Sequence, residues 1–128
     1  MFENMETIRM ARAMSGHAAT RHAIVAKNIA NADTPGYKAQ DLAPFFESYR
    51  STFGAPMSRT REGHLTQSGW GSKSSTITDP NAERSPNGNS VSLEDEMIKT
   101  ADTRREHDLS LAIYQSSLNL LRGALGRR

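Results

Sequence analysis

Apolar and small residues recur at alternating steps of three and four at both ends of the chain. Near the N-terminus Ile8, Ala11, Ser15, Ala18, His22, Val25 and Ile29 keep that rhythm, which places them on one stripe of a helix. The stripe is made largely of Ala and Ser. Such a seam lets a second helix approach closely, but it buries too little area for the helix to stand alone. The C-terminal segment repeats the pattern over more than four heptads, through Leu93, Met97, Thr100, Arg104, His107, Leu111, Tyr114, Leu118, Leu121 and Leu125. A sustained 4-3 spacing predicts a coiled-coil helix. Its seam is polar at Thr100, Arg104 and His107, so packing is expected to be tightest from Leu111 to Leu125.

The two patterns predict a mainly α chain: a long N-terminal helix over 1–31, a long C-terminal helix over 91–128, and an irregular or partly β, flexible middle over 32–90. Their comparable lengths suit the two helices to pairing as a coiled-coil-like hairpin. Asn89 or Ser90, with Ser92 as a second candidate, would cap the last helix, and Glu94, Asp95 and Glu96 sit where the helix dipole favours negative charge. All five prolines fall between Pro35 and Pro86, which confines regular structure to the ends. Within the middle, short extended stretches are expected around Leu42–Tyr49 and Gly63–Leu65. The stretch from Ser68 to Thr76 reads as a linker. Phe45, Phe46, Tyr49 and Trp70 are more aromatics than a linker needs, and are expected to dock when a neighbour is present.

With 128 residues, a chain of this kind forms one domain at most. Hydrophobic residues make up 36%, thin for a globule that must offset its chain entropy unaided, so help from partners is expected. The 16 Lys and Arg against 14 Asp and Glu are spread along the chain, with no basic face of the sort that binds nucleic acid. The chain lacks cysteine, which excludes disulfides, thiolate chemistry and cysteine-bound zinc. No signal peptide or membrane span is legible, which predicts a cytoplasmic protein or export by a signal-less route. The histidines His17, His22, His64 and His107 form no i, i+4 pair and no HExxH motif, and neither a Gly-x-Ser-x-Gly elbow nor a phosphate loop occurs. No enzyme, cofactor or small-molecule substrate is expected.

One short segment is unusually constrained: Asn28-Ile29-Ala30-Asn31-Ala32-Asp33-Thr34-Pro35-Gly36-Tyr37-Lys38-Ala39. Pro35 forces Thr34 out of the helical region, and Pro-Gly at the central positions suits a type II turn. Asn31 and Asp33 can bond backbone groups freed at the helix end. Asn28 and Asn31, three apart, share a face from which they could hydrogen-bond to a neighbour.

This segment resembles the signature of bacterial flagellar rod, hook and related axial proteins, in which a long N-terminal helix ends in Asn-x-x-Asn-x-x-Thr-x-Gly-Tyr. The matching residues are Asn28, Ile29, Ala30, Asn31, Thr34, Pro35, Gly36 and Tyr37. Thr60 with His64, the Val91–Met97 opening of the last helix and Leu121-Arg122 fit as well. The short length and the Pro-Gly-Tyr-Lys-Ala continuation are most similar to the short rod subunits. Thr100, Arg105 and His107 depart from the family's apolar or aromatic residues in the last helix.

The resemblance implies a non-catalytic building block of the proximal rod, serving flagellum-driven motility. It would leave the cell through the flagellar type III apparatus without a cleaved signal, and polymerise with itself and other rod proteins in the periplasm-spanning rod of the basal body. Its partners would be FlgC, the distal rod subunits, the adaptor FliE, the membrane-supramembrane (MS) ring and the export gate. Asn28, Asn31 and the Pro35-Gly36 turn would set the angle at which the chain leaves the inner tube. Ile8, Val25 and Ile29 would pack against Leu93, Met97, Leu111, Tyr114, Leu118, Leu121 and Leu125, and free subunits would be largely unfolded. The alternative is a cytoplasmic coiled-coil adaptor or secretion chaperone.

Overall fold

The computed structural model of the chain describes residues 2–52, 76–78 and 85–126. Helix α1 runs Phe2–Ala30 and helix α3 runs Leu93–Ala124. Between them lie strand β1 (Asp41–Leu42), helix α2 (Phe45–Thr52) and strand β2 (Thr76–Ile77). The expected mainly α architecture is present, with α1 and α3 packed against each other along the chain. The β part is a minimal antiparallel ladder that pairs Asp41 with Ile77 and Leu42 with Thr76. The expected strand at Gly63–Leu65, the linker up to Ser75, Trp70, Thr60 and His64 lie outside the described residues.

Helix α1 persists for 29 residues because it is rich in alanine, contains no proline and has a single glycine, Gly16. It ends by tightening: the Asn31 and Ala32 amides donate to the Asn28 and Ile29 carbonyls, and Thr34 N–H follows to Asn31 O. Helix α3 is capped by Ser92, whose hydroxyl accepts from Asp95 N–H at 3.3 Å. Ser92 is thus the cap, in place of Asn89 or Ser90, because Asn89 and Ser90 are engaged elsewhere.

The segment expected to be extended over Leu42–Tyr49 divides. Asp41–Leu42 is strand, but Phe45 onward is helix, opened by the Pro44 carbonyl accepting from the Glu47 and Ser48 amides. Helical spacing brings Phe45 and Tyr49 together at 5.3 Å between ring centres, and an edge of His17 meets Phe45 at 5.6 Å. His17 Nε2 also donates to Ala43 O at 2.9 Å, which ties the start of α2 to the middle of α1.

The core is narrow. Ala11, Ala18 and Val25 of α1 are buried at intervals of seven, and opposite them Glu96, Thr103, Ser110 and Ser117 of α3 are buried at the same interval. Leu42 and Ala43 close one side. Small residues every seventh position keep two antiparallel helices close along a common seam. Hydroxyls tolerate this burial because their own helix satisfies them: Thr103 Oγ1 donates to Lys99 O at 2.7 Å, and Ser110 Oγ to His107 O at 2.6 Å.

On α3 the deepest line of this seam lies beside the stripe read from the sequence, not on it. Leu93, Met97, Leu111 and Leu125 are exposed, Met97 at 64% and Leu125 at 72%. Tyr114, Leu118 and Leu121 are half-buried. On α1, Val25 lies in the seam, Ile8 is half-buried and Ile29 is exposed; Met14, Arg21 and Asn28 accompany the alanines where Ser15, His22 and Ile29 were expected. The expected packing is corrected in part: the hairpin buries the Ser/Thr line deepest, Tyr114, Leu118 and Leu121 flank it half-buried, and Leu93, Met97, Leu111 and Leu125 face outward.

Candidate functional site

The signature segment sits where α1 ends and the chain turns away from the helix pair. Tyr37 N–H donates to Thr34 O at 3.3 Å across Pro35-Gly36, and Gly36 has φ 73. A positive φ at the third residue of the turn is what Pro-Gly was expected to supply. The returning strand of chain, 85–92, lies directly against this turn. Gly36 N–H donates to Asn87 O, and Ser90 N–H to Tyr37 O. Gly88, at φ 79, brings its backbone so close that a Cβ there would lie 3.6 Å from Gly36 Cα.

Asn89 is the pin. Its side chain is buried, and Nδ2 lies within hydrogen-bonding distance of the carbonyls of Asn31, Ala32 and Thr34 at 3.0, 2.6 and 3.0 Å. Its Oδ1 accepts from Val91 N–H at 2.8 Å. One amide thereby gathers the carbonyls just beyond the end of α1, that of Ala32 at the shortest distance, from a position nearly sixty residues later in the chain. Beside it, Ser90 Oγ accepts from Ala39 N–H at 2.9 Å.

Asn28 occupies the centre. It is fully buried, and all four of its hydrogen-bonding positions are filled from within the chain. Nδ2 donates to Gln40 O (2.6 Å) and Glu96 Oε2 (3.0 Å), while Oδ1 accepts from Gln40 N–H (3.1 Å) and the Tyr37 hydroxyl (3.2 Å). It has nothing left to offer a neighbour, which corrects that expectation. Asn31 instead turns back on its own helix, donating to Lys27 O and accepting from Thr34 Oγ1. Ile29, Ala30, Thr34, Pro35 and Gly36 are all solvent-exposed, and Tyr37 is half-buried.

An alternating chain of charges extends from Asn28 along the helix pair. Glu96, 1% exposed, also accepts from Lys99 Nζ at 2.8 Å; Lys99 lies 3.9 Å from Asp41, and Asp41 receives two bonds from Arg21 at 2.9 and 3.1 Å. Arg21 reaches on to Glu106 at 3.5 Å. A buried carboxylate persists only when paired and hydrogen-bonded, as Glu96 is. Burial pushes the Asp41 carboxyl up, but the hydrogen bonds from Arg21 and Leu42 N–H, with the charges of Arg21 and Lys99, hold it below its ordinary value. The bond to Asp41 raises Arg21 further, against the opposing effect of burial. Burial, with the charge of Glu96, raises the Tyr37 hydroxyl, which keeps it a donor to Asn28.

This arrangement joins four pieces of chain and presents no reacting group to a cleft. Among the described residues no group of three or more His, Asp or Glu is placed to hold a metal, and no helix is long and apolar enough to cross a membrane. What it does is geometric: it fixes both the outgoing and the returning chain to the end of a helix pair.

A sequence model of the family described as "Flagella basal body rod protein" matches residues 11–38. The chain is 34% identical over 123 residues to the flagellar basal body rod protein FlgB of Agrobacterium fabrum (strain C58), covering 91% of this chain and 92% of that one. The chain belongs to the FlgB family of flagellar basal body rod proteins. Its likeness to the FlgB protein of Salmonella typhimurium (strain LT2) is 29% over 117 residues, covering 82% of this chain and 85% of that one. Against a Cereibacter sphaeroides FlgB it is 27% over 106 residues, with 83% of each chain covered. It is therefore a structural subunit of the flagellar basal-body rod, in a family that is not one of enzymes.

The family match ends at Lys38. Of the residues that hold the signature in place, Arg21 falls inside it, while Asp41, Asn89, Glu96 and Lys99 fall outside. Sequence reasoning missed these. Glu96 looked like one of three dipole-favoured carboxylates, and nothing distinguishes it from the exposed Glu94 and Asp95 except its place on the seam. Asn89 read as a candidate cap for α3, and its role at the end of α1 carried no signal because those partners are distant in sequence.

Proposed function

We propose that this rod subunit occupies the proximal rod, next to FlgC and the distal rod subunits, with FliE, the MS ring and the export gate as its neighbours at the base. It reaches that position through the flagellar type III system without a cleaved signal, and there self-associates in the periplasm-spanning rod that supports motility. Residues 1–31 and 91–128 form the inner part, and 32–90 projects from it. The signature residues Asn28, Ile29, Ala30, Asn31, Thr34, Pro35, Gly36 and Tyr37 serve assembly by setting the direction in which the projecting segment departs.

The observation that carries this reading is the apolar surface that α3 leaves exposed. Leu109, Leu111, Leu120 and Leu125 are exposed and Tyr114, Leu118 and Leu121 only half-buried, while among the described residues the buried apolar side chains are Ala11, Ala18, Val25, Leu42 and Ala43. A hairpin with so small a core draws its stability from neighbours, which supports a free subunit that is largely unfolded. The lock around Asn28 supports the geometric role of the signature.

Mass spectrometry of purified hook-basal bodies tests the reading. The chain is expected at a stable ratio to the other rod proteins, and cross-linking is expected to place it against FlgC and FliE. Absence from intact, motile basal bodies would reject the assignment and favour a cytoplasmic adaptor.

A further inference from the structure

The returning arm that closes on the signature turn carries Asn87-Gly88, and Asn87 is the one asparagine of the chain that glycine follows. That dipeptide has a chemistry of its own. The glycine nitrogen, unshielded by any side chain, can attack the preceding carboxamide carbon: the bond from Gly88 N to Asn87 Cγ forms, the Cγ–Nδ2 bond breaks, and ammonia leaves with the Gly88 amide proton. Solvent water then opens the cyclic imide at either carbonyl, giving aspartate or isoaspartate. Both residues are solvent-exposed, so water and base reach them. The folded turn nevertheless opposes the attack. Gly88 N–H donates to Ser85 O at 2.8 Å, which keeps the proton on the nucleophile, and Asn87 Oδ1 is held by Asn89 N–H at 3.0 Å. Asn89, followed by Ser90, is protected more fully, since it is buried with both ends of its carboxamide bonded.

Resting on the reading of the free subunit as largely unfolded, we propose that Asn87 is a site of spontaneous deamidation in the unassembled chain, protected once the 85–92 arm closes on the signature turn, and that its isoaspartyl product can no longer make that closure. In the isoaspartyl form the main chain runs through the side-chain carbon, which adds one atom to the backbone. The carbonyl that accepts from Gly36 N–H at 3.1 Å becomes a carboxylate outside the path of the chain. Gly88 packs so near Gly36 that an added Cβ would lie 3.6 Å from its Cα, and Asn89 is fitted to three carbonyls, so neither tolerates the displacement. A subunit that waits too long outside the rod thereby loses its fixed return onto α1.

The test ages the purified full-length chain and purified hook-basal bodies side by side at neutral pH. Trypsin releases the peptide Ser85–Lys99, and digestion in heavy-oxygen water marks any conversion that occurs during handling. Asn87 of the free chain is expected to convert at least about tenfold faster than Asn87 in basal bodies, because reaction there waits on opening of the turn. Equal rates, or conversion at other asparagines with Asn87 intact, would overturn the proposal. A second measurement reads the consequence. In a folding osmolyte the urea midpoint of the aged chain should fall below that of the fresh chain, while Asn87→Ser, which keeps an oxygen near Asn89 N–H, should show the same midpoint before and after ageing. An unchanged midpoint in a fully converted chain would overturn the loss of closure. Absence of the chain from basal bodies would reject the rod reading, and the rate in the free chain with and without osmolyte would then decide the site on its own.

Discussion

The two ends of the helix pair are built on opposite principles. At one end Arg21, Asn28, Asp41, Asn89, Glu96 and Lys99 form a closed set of hydrogen bonds and ion pairs, all satisfied within one chain. At the other end Ala11 and Ala18 face Ser110 and Ser117, and of the large apolar side chains of α3 Leu109, Leu111, Leu120 and Leu125 are exposed while Ile113, Tyr114, Leu118 and Leu121 are only half-buried. The small-residue seam repeats every seven residues, so a slip of one heptad would still set small against small. Asn28 with Glu96, and Arg21 with Asp41 and Glu106, are what such a slip would break; polar groups fix register where apolar packing is degenerate. The comparison teaches a division of labour: one end is closed by polar contacts within the chain, and the other carries apolar side chains that the chain covers only in part.

The sharpest way to break this division is Leu118→Asp. Seating a carboxylate in an apolar contact costs several kcal/mol, so incorporation into basal bodies is expected to fall about a hundredfold. The helix content of the free chain in a folding osmolyte should fall far less than incorporation does, since Leu118 flanks the seam and is only half-buried. Normal incorporation would show that the leucine line is no assembly surface.

At the locked end the expected pattern reverses. Asn28→Ala removes the partner of Glu96 Oε2 and of both backbone groups of Gln40, and should destabilise the hairpin by about 3 kcal/mol in a urea titration with osmolyte present. Asn89→Ala should cost about 2 kcal/mol by uncapping α1. Equal small losses from both, under about 0.5 kcal/mol, would mean that the network contributes no structure worth the name of a lock.

Gly36→Val sharpens the role of the turn. A β-branched residue at φ 73 carries about 1–3 kcal/mol of strain, which should misdirect the projecting segment while leaving the helices formed. Rod assembly is expected to drop more than secretion into the medium; a matched drop in both would refute a geometric role for the turn.

The smallest effect is expected from acid. Asp41 titrates below its ordinary value in the folded chain, so its contribution to stability is complete above the unfolded carboxylate value near pH 4 and disappears as pH falls through the folded one. Hairpin stability should therefore decline below about pH 4, and Asp41→Asn should flatten that part of the profile. An unchanged profile in the variant would remove Asp41 from the lock.

Much of this was legible in the sequence, for local reasons. Long proline-free runs with alanine specify helix, and Pro35-Gly36 specifies its turn, since both act through neighbouring residues. The division of Leu42–Tyr49 into strand and helix was not legible, because short apolar runs fit either period until Pro44 and the docking of Phe45 on His17 decide. The buried Thr103, Ser110 and Ser117 were passed over because they read as polar, although hydroxyls satisfied by their own helix pack as small residues.

By itself the sequence determined two long helices, a glycine turn at the end of the first, an uncharged leucine-bearing run in the second, and the absence of any recognisable catalytic motif. Only the tertiary structure decided which of two adjacent lines on α3 meets α1. A hydrophobic pattern marks a surface that must be covered, but not by what. Here Asn28–Glu96 and Arg21–Asp41 accompany a helix orientation that buries the Ser/Thr line deepest and leaves Leu111 and Leu125 exposed.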